Sequence, residues 1–223
     1  MSQNYQPLRV EFTVRNGSPI REPKHIIHLD ALLAFVAVQR SMADGAQDYS
    51  AQENLPLDIL THPEATHSVW AASGLFYEAQ MKELRYWSRK TNTAAVAEAQ
   101  GSGILKMRGD KVSTSSGPWK AYSEFEPLLH VRTLTAWCIG DKEAIEDLLG
   151  DIHFIGKRRS RGYGEVESIQ VISDEKALNN VKCRSLTWQE DERYVPMMCG
   201  TKPPYFEHNP GYYPTKDVFA NDS

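Results

Sequence analysis

The segment GKRRSRGYG sets Lys157, Arg158, Arg159 and Arg161 among Gly156, Gly162 and Gly164. Glycine permits positive φ and removes Cβ, so main-chain N–H groups can turn toward a bound group that comes close. Lysine and arginine add charge-assisted donors, and arginine's fork matches phosphate oxygens bidentately. Both halves of that chemistry suit a sugar–phosphate chain. The bland alternative is a solvated hairpin with glycines at its turns. Tyr163, held between two glycines, either stacks on a base or ribose or packs inward to close the loop. Free nucleotide fits poorly. A P-loop needs G-x-x-x-x-G-K-[ST] opening a helix, and the dinucleotide pattern G-x-G-x-x-G meets Glu167 where its third glycine belongs.

A second basic stretch holds Lys82, Arg85, Arg89 and Lys90, interleaved with Tyr86 and Trp87. Cations alternating with aromatics are the ingredients of a single-strand groove; the alternative is the solvated face of a strand. For acid–base work the candidates are His28, with His25 close by, and His153 just before the glycine loop. An imidazole acting on a ribose 2′-hydroxyl would need hydrogen-bond reach to it and cations on the phosphate, whereas a histidine at a helix start more often packs or caps. No metal or cofactor is expected. The acids of DKEAIEDLLGD fall mostly on a solvent-facing side of a helix, and no H-x-x-x-H accompanies them. Cys138, Cys183 and Cys199 are odd in number without a C-x-x-C pair, which predicts reduced structural thiols.

The elements that position these residues emerge from periodicity. With 223 residues, 41% of them apolar and 24% charged, the chain can bury a core as one domain with embellishments. A formal charge of −4 does not suggest a polyanion binder, but the cations cluster locally while acids gather at 141–151 and 190–192. LRVEFTV alternates like a strand with one buried face, and LDALLAFVAVQRSM repeats its apolar positions at helical spacing, with Asp30 in the first turn. PLDIL predicts a short helical piece. HSVWAASGLFYEAQ and KELRYWSRKT predict two strands with Gly74 as a bulge, a helix competing over YEAQMKELRYW. Residues 91–120 are rich in Ala, Gly, Ser and Thr and predict a mobile insertion. LLHVRTLTAWCIG is a strand, DKEAIEDLLGDI a helix stopped by Gly150, and EVESIQVI a last strand. The order β, α, β, β, α, β is that of an α+β, ferredoxin-like (RRM-like, split βαβ) fold with an antiparallel sheet and two helices on one face. Residues 1–172 form this domain, and the Pro- and Tyr-dense 173–223 a C-terminal extension, an extended arm that packs on the domain or on a neighbour. The N-terminus lacks a leader pattern, and no apolar run reaches the roughly 18 residues of a membrane span, which predicts a cytoplasmic protein.

IGKRRSRGYGEV resembles the glycine-rich signature of the RAMP superfamily of CRISPR-associated proteins: an apolar residue, a glycine, a basic stretch, G-x-G and an apolar residue leading into a strand. PKHIIHLDALLAFVAV and the overall size are similar to the small handle-capping RAMP subunit of type IV effector complexes. The resemblance spans about 9–172. It implies a structural subunit that binds the 5′ repeat-derived handle of the guide RNA (crRNA), beside backbone RAMP subunits and a large or zinc-bearing subunit, near the flanking motif of target DNA. It also makes 91–120 a thumb-like segment. Some RAMP proteins cleave repeat RNA without metal through a histidine near the first helix, so a metal-independent endoribonuclease using His28 or His153 is the alternative. A protein–protein adaptor built on the aromatic stretch from Tyr194 to Phe219 is a third reading.

Overall fold

A computed structural model describes residues 4–43, 49–105 and 113–219. In chain order the strands and helices are β1 (Tyr5–Val14), β2 (Ile20–Arg21), α1 (Leu29–Ala43), β3 (Ile59–Leu60), β4 (Val69–Trp70), β5 (Ala79–Arg89), α2 (Thr93–Gly101), β6 (Tyr122–Val131), β7 (Thr133–Asp141), α3 (Lys142–Leu149), β8 (Val166–Ser173), α4 (Ala177–Asn180), β9 (Tyr194–Cys199) and β10 (Asn209–Pro214). The chain divides into two compact units, residues 1–81 with 129–223, and residues 82–128.

In the larger unit β1 is central and antiparallel to both neighbours, giving the order β7-β1-β8. Its alternation decides which face is core: Leu8, Val10, Phe12 and Val14 are buried together with Leu29 and Leu33 of α1 and Ile145 and Leu149 of α3. Both helices therefore cover one face. On the far side of β7, single bridges Ala72↔Cys138 and Phe76↔Thr135 bring in a fourth, irregular strand. The resulting order, β8, β1, β7, then 72–76, is the arrangement of a ferredoxin-like sheet. α3 starts cleanly because the Asp141 carboxylate accepts from the Ala144 N–H at 3.1 Å.

Three local expectations change. PLDIL forms no helix, and Ile59 and Leu60 pair with Trp70 and Val69 instead. The strand expected over 67–80 is mostly irregular, but Gly74 does fall in a bulge: the bridges Ala72↔Cys138 and Phe76↔Thr135 set five residues against four, and a Cβ at Gly74 would lie 2.2 Å from Ile26 Cγ2. The main chain at 73–75 is claimed by non-neighbouring segments, with Leu29 N–H donating to the Ser73 carbonyl (3.1 Å) and Gly74 N–H to the Cys183 carbonyl (2.9 Å). The break expected before Lys82 is absent, since β5 runs through it as one strand.

The segment after 173 carries more regular structure than its Pro and Tyr content suggests. It packs on the domain. Ala177 and Val181 join Trp137 on the sheet face away from α1 and α3, and β9 pairs with β10 as a hairpin. Arg184 fastens it: its fully buried guanidinium donates to the carbonyls of Trp70 (2.7 Å), Ala72 (2.9 Å) and Thr201 (2.6 Å) and to the Asp30 carboxylate (3.1 Å). In the smaller unit, β5 and β6 are hydrogen-bonded neighbours. The segment 91–120 includes α2, capped by Asn92, whose side chain accepts from the Ala95 N–H at 3.2 Å. Residues 106–112 of that segment lie outside the described residues. Among the described residues, no helix is long and apolar enough to cross a membrane.

Candidate nucleic-acid interface

The glycine loop leaves the turn after α3 and enters β8, its ends tied by the Phe154↔Glu165 bridge and by Ile155 N–H donating to the Gly164 carbonyl at 2.8 Å. Ile155 is fully buried and anchors the loop. Gly164 has φ +69°, and a Cβ there would lie 1.9 Å from the Ile155 oxygen, so no side chain fits. Gly162 has φ +76° with open space around it, so its constraint is conformational rather than steric. Between them and Gly156, residues Arg159–Arg161 make one 3₁₀ turn, closed by Arg161 N–H to the Arg158 carbonyl (2.8 Å) and Gly162 N–H to the Arg159 carbonyl (2.9 Å). Arg158 itself sits at φ +67°, a left-handed conformation that costs an L-residue about 1–2 kcal/mol.

This geometry redistributes the donors expected of the glycines. The N–H of Gly162 is used in the 3₁₀ turn, and that of Gly164 donates to the Pro19 carbonyl at 3.0 Å. Gly156, Lys157 and Ser160 keep main-chain N–H groups with no acceptor among the described residues. Any main-chain cradle therefore lies at the 156–160 end. The side chains of Lys157, Arg158 and Arg159 are exposed and that of Arg161 is half-buried. The Arg159 guanidinium lies 4.9 Å from the centroid of Phe35, an exposed ring on α1. Tyr163, only 2% exposed, takes the inward role of the two open to it: it packs beneath the loop.

Ser18 was not legible as part of the site. Its hydroxyl donates to the Gly162 carbonyl at 2.6 Å and accepts from the Glu165 N–H at 2.8 Å, while Arg15 N–H donates to the Glu165 carbonyl at 2.8 Å. The NGSP turn thus clasps the glycine loop from the other side of the sheet edge. Its Ser-Pro step reads as turn chemistry, and only the fold shows what the serine holds.

A family model for the CRISPR type IV associated protein Csf3 matches residues 6–213. The chain belongs to the Csf3 family. No curated protein matches it. The type IV resemblance drawn from PKHIIHLDALLAFVAV and the overall size thus agrees with the family match over residues 6–213, and the expected α+β architecture with the sheet described above.

The histidines of this Csf3-family chain are far apart in character. His28 is 3% exposed, its ring centroid 4.6 Å from that of Tyr205, and its Nδ1 has no hydrogen-bond partner among the described residues. Burial, and secondarily the Arg184 cation, hold it well below the ordinary imidazole range, so it is neutral and shielded from a ribose. The packing role, not the acid–base one, is what its surroundings provide. His153 is exposed, and its carbonyl accepts from the Val166 N–H at 2.9 Å. Beside His28, burial pushes the Asp30 carboxyl up, opposed by Arg184 and by the Tyr205 hydroxyl, which donates to it at 2.8 Å. Among the described residues, no three His, Cys, Asp or Glu side chains converge as a metal site would require.

The second basic stretch lies on β5, in the smaller unit. Strand alternation splits it. Lys82 shares one side with Tyr86, whereas Arg85, Trp87 and Arg89 share the other with Glu83, whose carboxylate accepts from Arg85 at 2.9 Å; Lys90 follows the strand's last residue. The residues of the stretch that lie on β5 therefore divide between its two faces.

Proposed function

We propose that this chain is a guide-RNA-binding structural subunit of a type IV CRISPR effector ribonucleoprotein, non-catalytic, that caps the 5′ repeat-derived handle and supports recognition of target DNA near its flanking motif. The observation that carries this reading is the glycine loop: Lys157, Arg158 and Arg159 exposed on a turn whose backbone is fixed by Gly164 and Ser18, with main-chain donors left over at Gly156, Lys157 and Ser160. A polyanion that meets these cations gains by releasing its counterions. A backbone held in a positive-φ conformation at Arg158 is the kind of local cost that persists where the conformation serves binding. In this reading the neighbours are backbone RAMP subunits and the large or zinc-bearing subunit, assembled in the cytoplasm.

The test is co-purification from cells expressing the chain with its genomic neighbours and a CRISPR array, followed by crosslink mapping of the retained RNA. Crosslinks from 157–163 to the repeat-derived handle are the expected result. Retained RNA whose crosslinks survive alanine at Lys157, Arg158, Arg159 and Arg161 together would overturn the reading.

A further inference from the structure

We propose, resting on the glycine-loop reading above, that Arg159 and Phe35 form a stacking subsite for one unpaired nucleotide of the bound RNA. Its base lies on the guanidinium plane that the Phe35 ring supports, and its phosphate meets Lys157 and the main-chain donors at 156 and 157. Phe35 comes from α1 and Arg159 from the 3₁₀ turn of the loop, and the guanidinium carbon stands 4.9 Å from the ring centroid. Both side chains are open to solvent, the ring at 43%.

What holds Arg159 differs from what holds other arginines at the surface. Arg9, Arg15, Arg40, Arg132 and Arg193 each meet a carboxylate. Arg159 meets a ring, and among the described residues its side chain has no hydrogen bond or ion pair. A carboxylate would cancel the charge and occupy the N–H edge, whereas a ring takes one face of the guanidinium and leaves its edge and its charge for a ligand. The surroundings do not repel an anion. The one acid of α1, Asp30, is fully buried, and Asp147 of α3 and Asp151 just beyond it are both held by Arg40. An arginine plane is a platform on which an unpaired base stacks, and the ring behind it fixes the tilt of that plane. A paired base has its faces covered by its neighbours, so the subsite takes a nucleotide from a single-stranded segment. One ribose separates that base from its phosphate, a span comparable to the reach of an arginine side chain from its own main chain. The phosphate therefore falls back toward the N–H groups of Gly156 and Lys157, which have no acceptor among the described residues.

The probe is a fluorescein-labelled synthetic RNA of the repeat-derived handle, bound to the full chain and followed by anisotropy, with each nucleotide replaced in turn by an abasic one. Arg159→Lys keeps the charge and removes the plane. It should weaken binding about five-fold or more with the salt slope unchanged. Abasic replacement at one position should cost the wild type a similar factor and the Arg159→Lys chain almost nothing, because both changes remove the same stack. Phe35→Leu keeps the apolar cover of α1 and should reproduce that loss at the same position, which a purely structural role would not do. Thermal melting reports whether each variant remains folded. Abasic replacements that cost the wild type and the Arg159→Lys chain equally at every position overturn the subsite while the loop reading stands. Binding indifferent to alanine at Lys157, Arg158, Arg159 and Arg161 together overturns the loop reading, and the subsite with it.

Discussion

At the scale of single residues, Gly162 and Gly164 look alike in sequence and differ in what holds them. Gly162→Ala meets open space and costs only what its left-handed backbone demands, about 1–2 kcal/mol. Gly164→Ala also drives a Cβ into the Ile155 oxygen and should cost about 3 kcal/mol or more, read as a larger loss of unfolding free energy in urea. Arg158→Gly should separate conformation from charge: the strain at φ +67° is relieved, so the melting temperature rises or holds, while RNA binding weakens. His28 sets a pH dependence. The unfolded chain titrates it at an ordinary value near 6.5 and the folded chain well below, so between the two only the unfolded state takes the proton. Stability from this group is full above pH 6.5 and falls as the pH drops through that window, with a slope approaching about 1.4 kcal/mol per pH unit. Melting curves of the wild type and His28→Gln between pH 7.5 and 4.5 check it, the variant showing the shallower acid limb.

At the scale of elements, the glycine loop and its clasp should behave as one. Each loop cation changed to alanine should lower the slope of log binding against log salt by about one unit for every phosphate that the cation had neutralised. Ser18→Ala removes no charge, yet leaves the Gly162 carbonyl and the Glu165 N–H without their shared partner. It should therefore weaken guide-RNA binding with the salt slope unchanged, and cost about 1–3 kcal/mol in stability. The loop, β1, α1 and α3 were legible because each is written in a short window: alternation in LRVEFTV, a 3.6-residue repeat in LDALLAFVAV, three glycines among cations. The edge at 72–76 was not, because its hydrogen bonds go to residues near 28, 137 and 183. The unity of β5 was hidden for a different reason. Most of its side chains are exposed, so burial imposes no apolar alternation to read. Arg184, in the unremarkable VKCRSLTW, gave no local sign that it is the most enclosed cation of the described chain.

At the scale of the whole chain, the main hydrophobic core draws only on residues before 81 and from 129 onward, so the inserted unit adds nothing to it. Replacing 82–128 by a short Gly/Ser linker should leave a cooperatively melting domain with its glycine loop intact, checked by calorimetry and by the salt dependence of RNA binding. The C-terminal segment is not dispensable in that way. Arg184→Met strands a buried carboxylate at Asp30 and should cost about 3–5 kcal/mol, and Asp30→Asn in the same chain should recover part of the loss.

The partnership of Asp30 with Arg184 joins positions 154 residues apart. A ribosome adding roughly 5–20 residues per second makes the carboxylate wait about 8–30 s for its cation. For most of that interval the strand that flanks β1 on one side, residues 166–173, is also still to be made. The half-made polypeptide thus emerges with its first strand lacking one flanking neighbour until late, and with a buried carboxylate on its first helix still without its cation. The wiring therefore ties the closing of the core to residues that are made late.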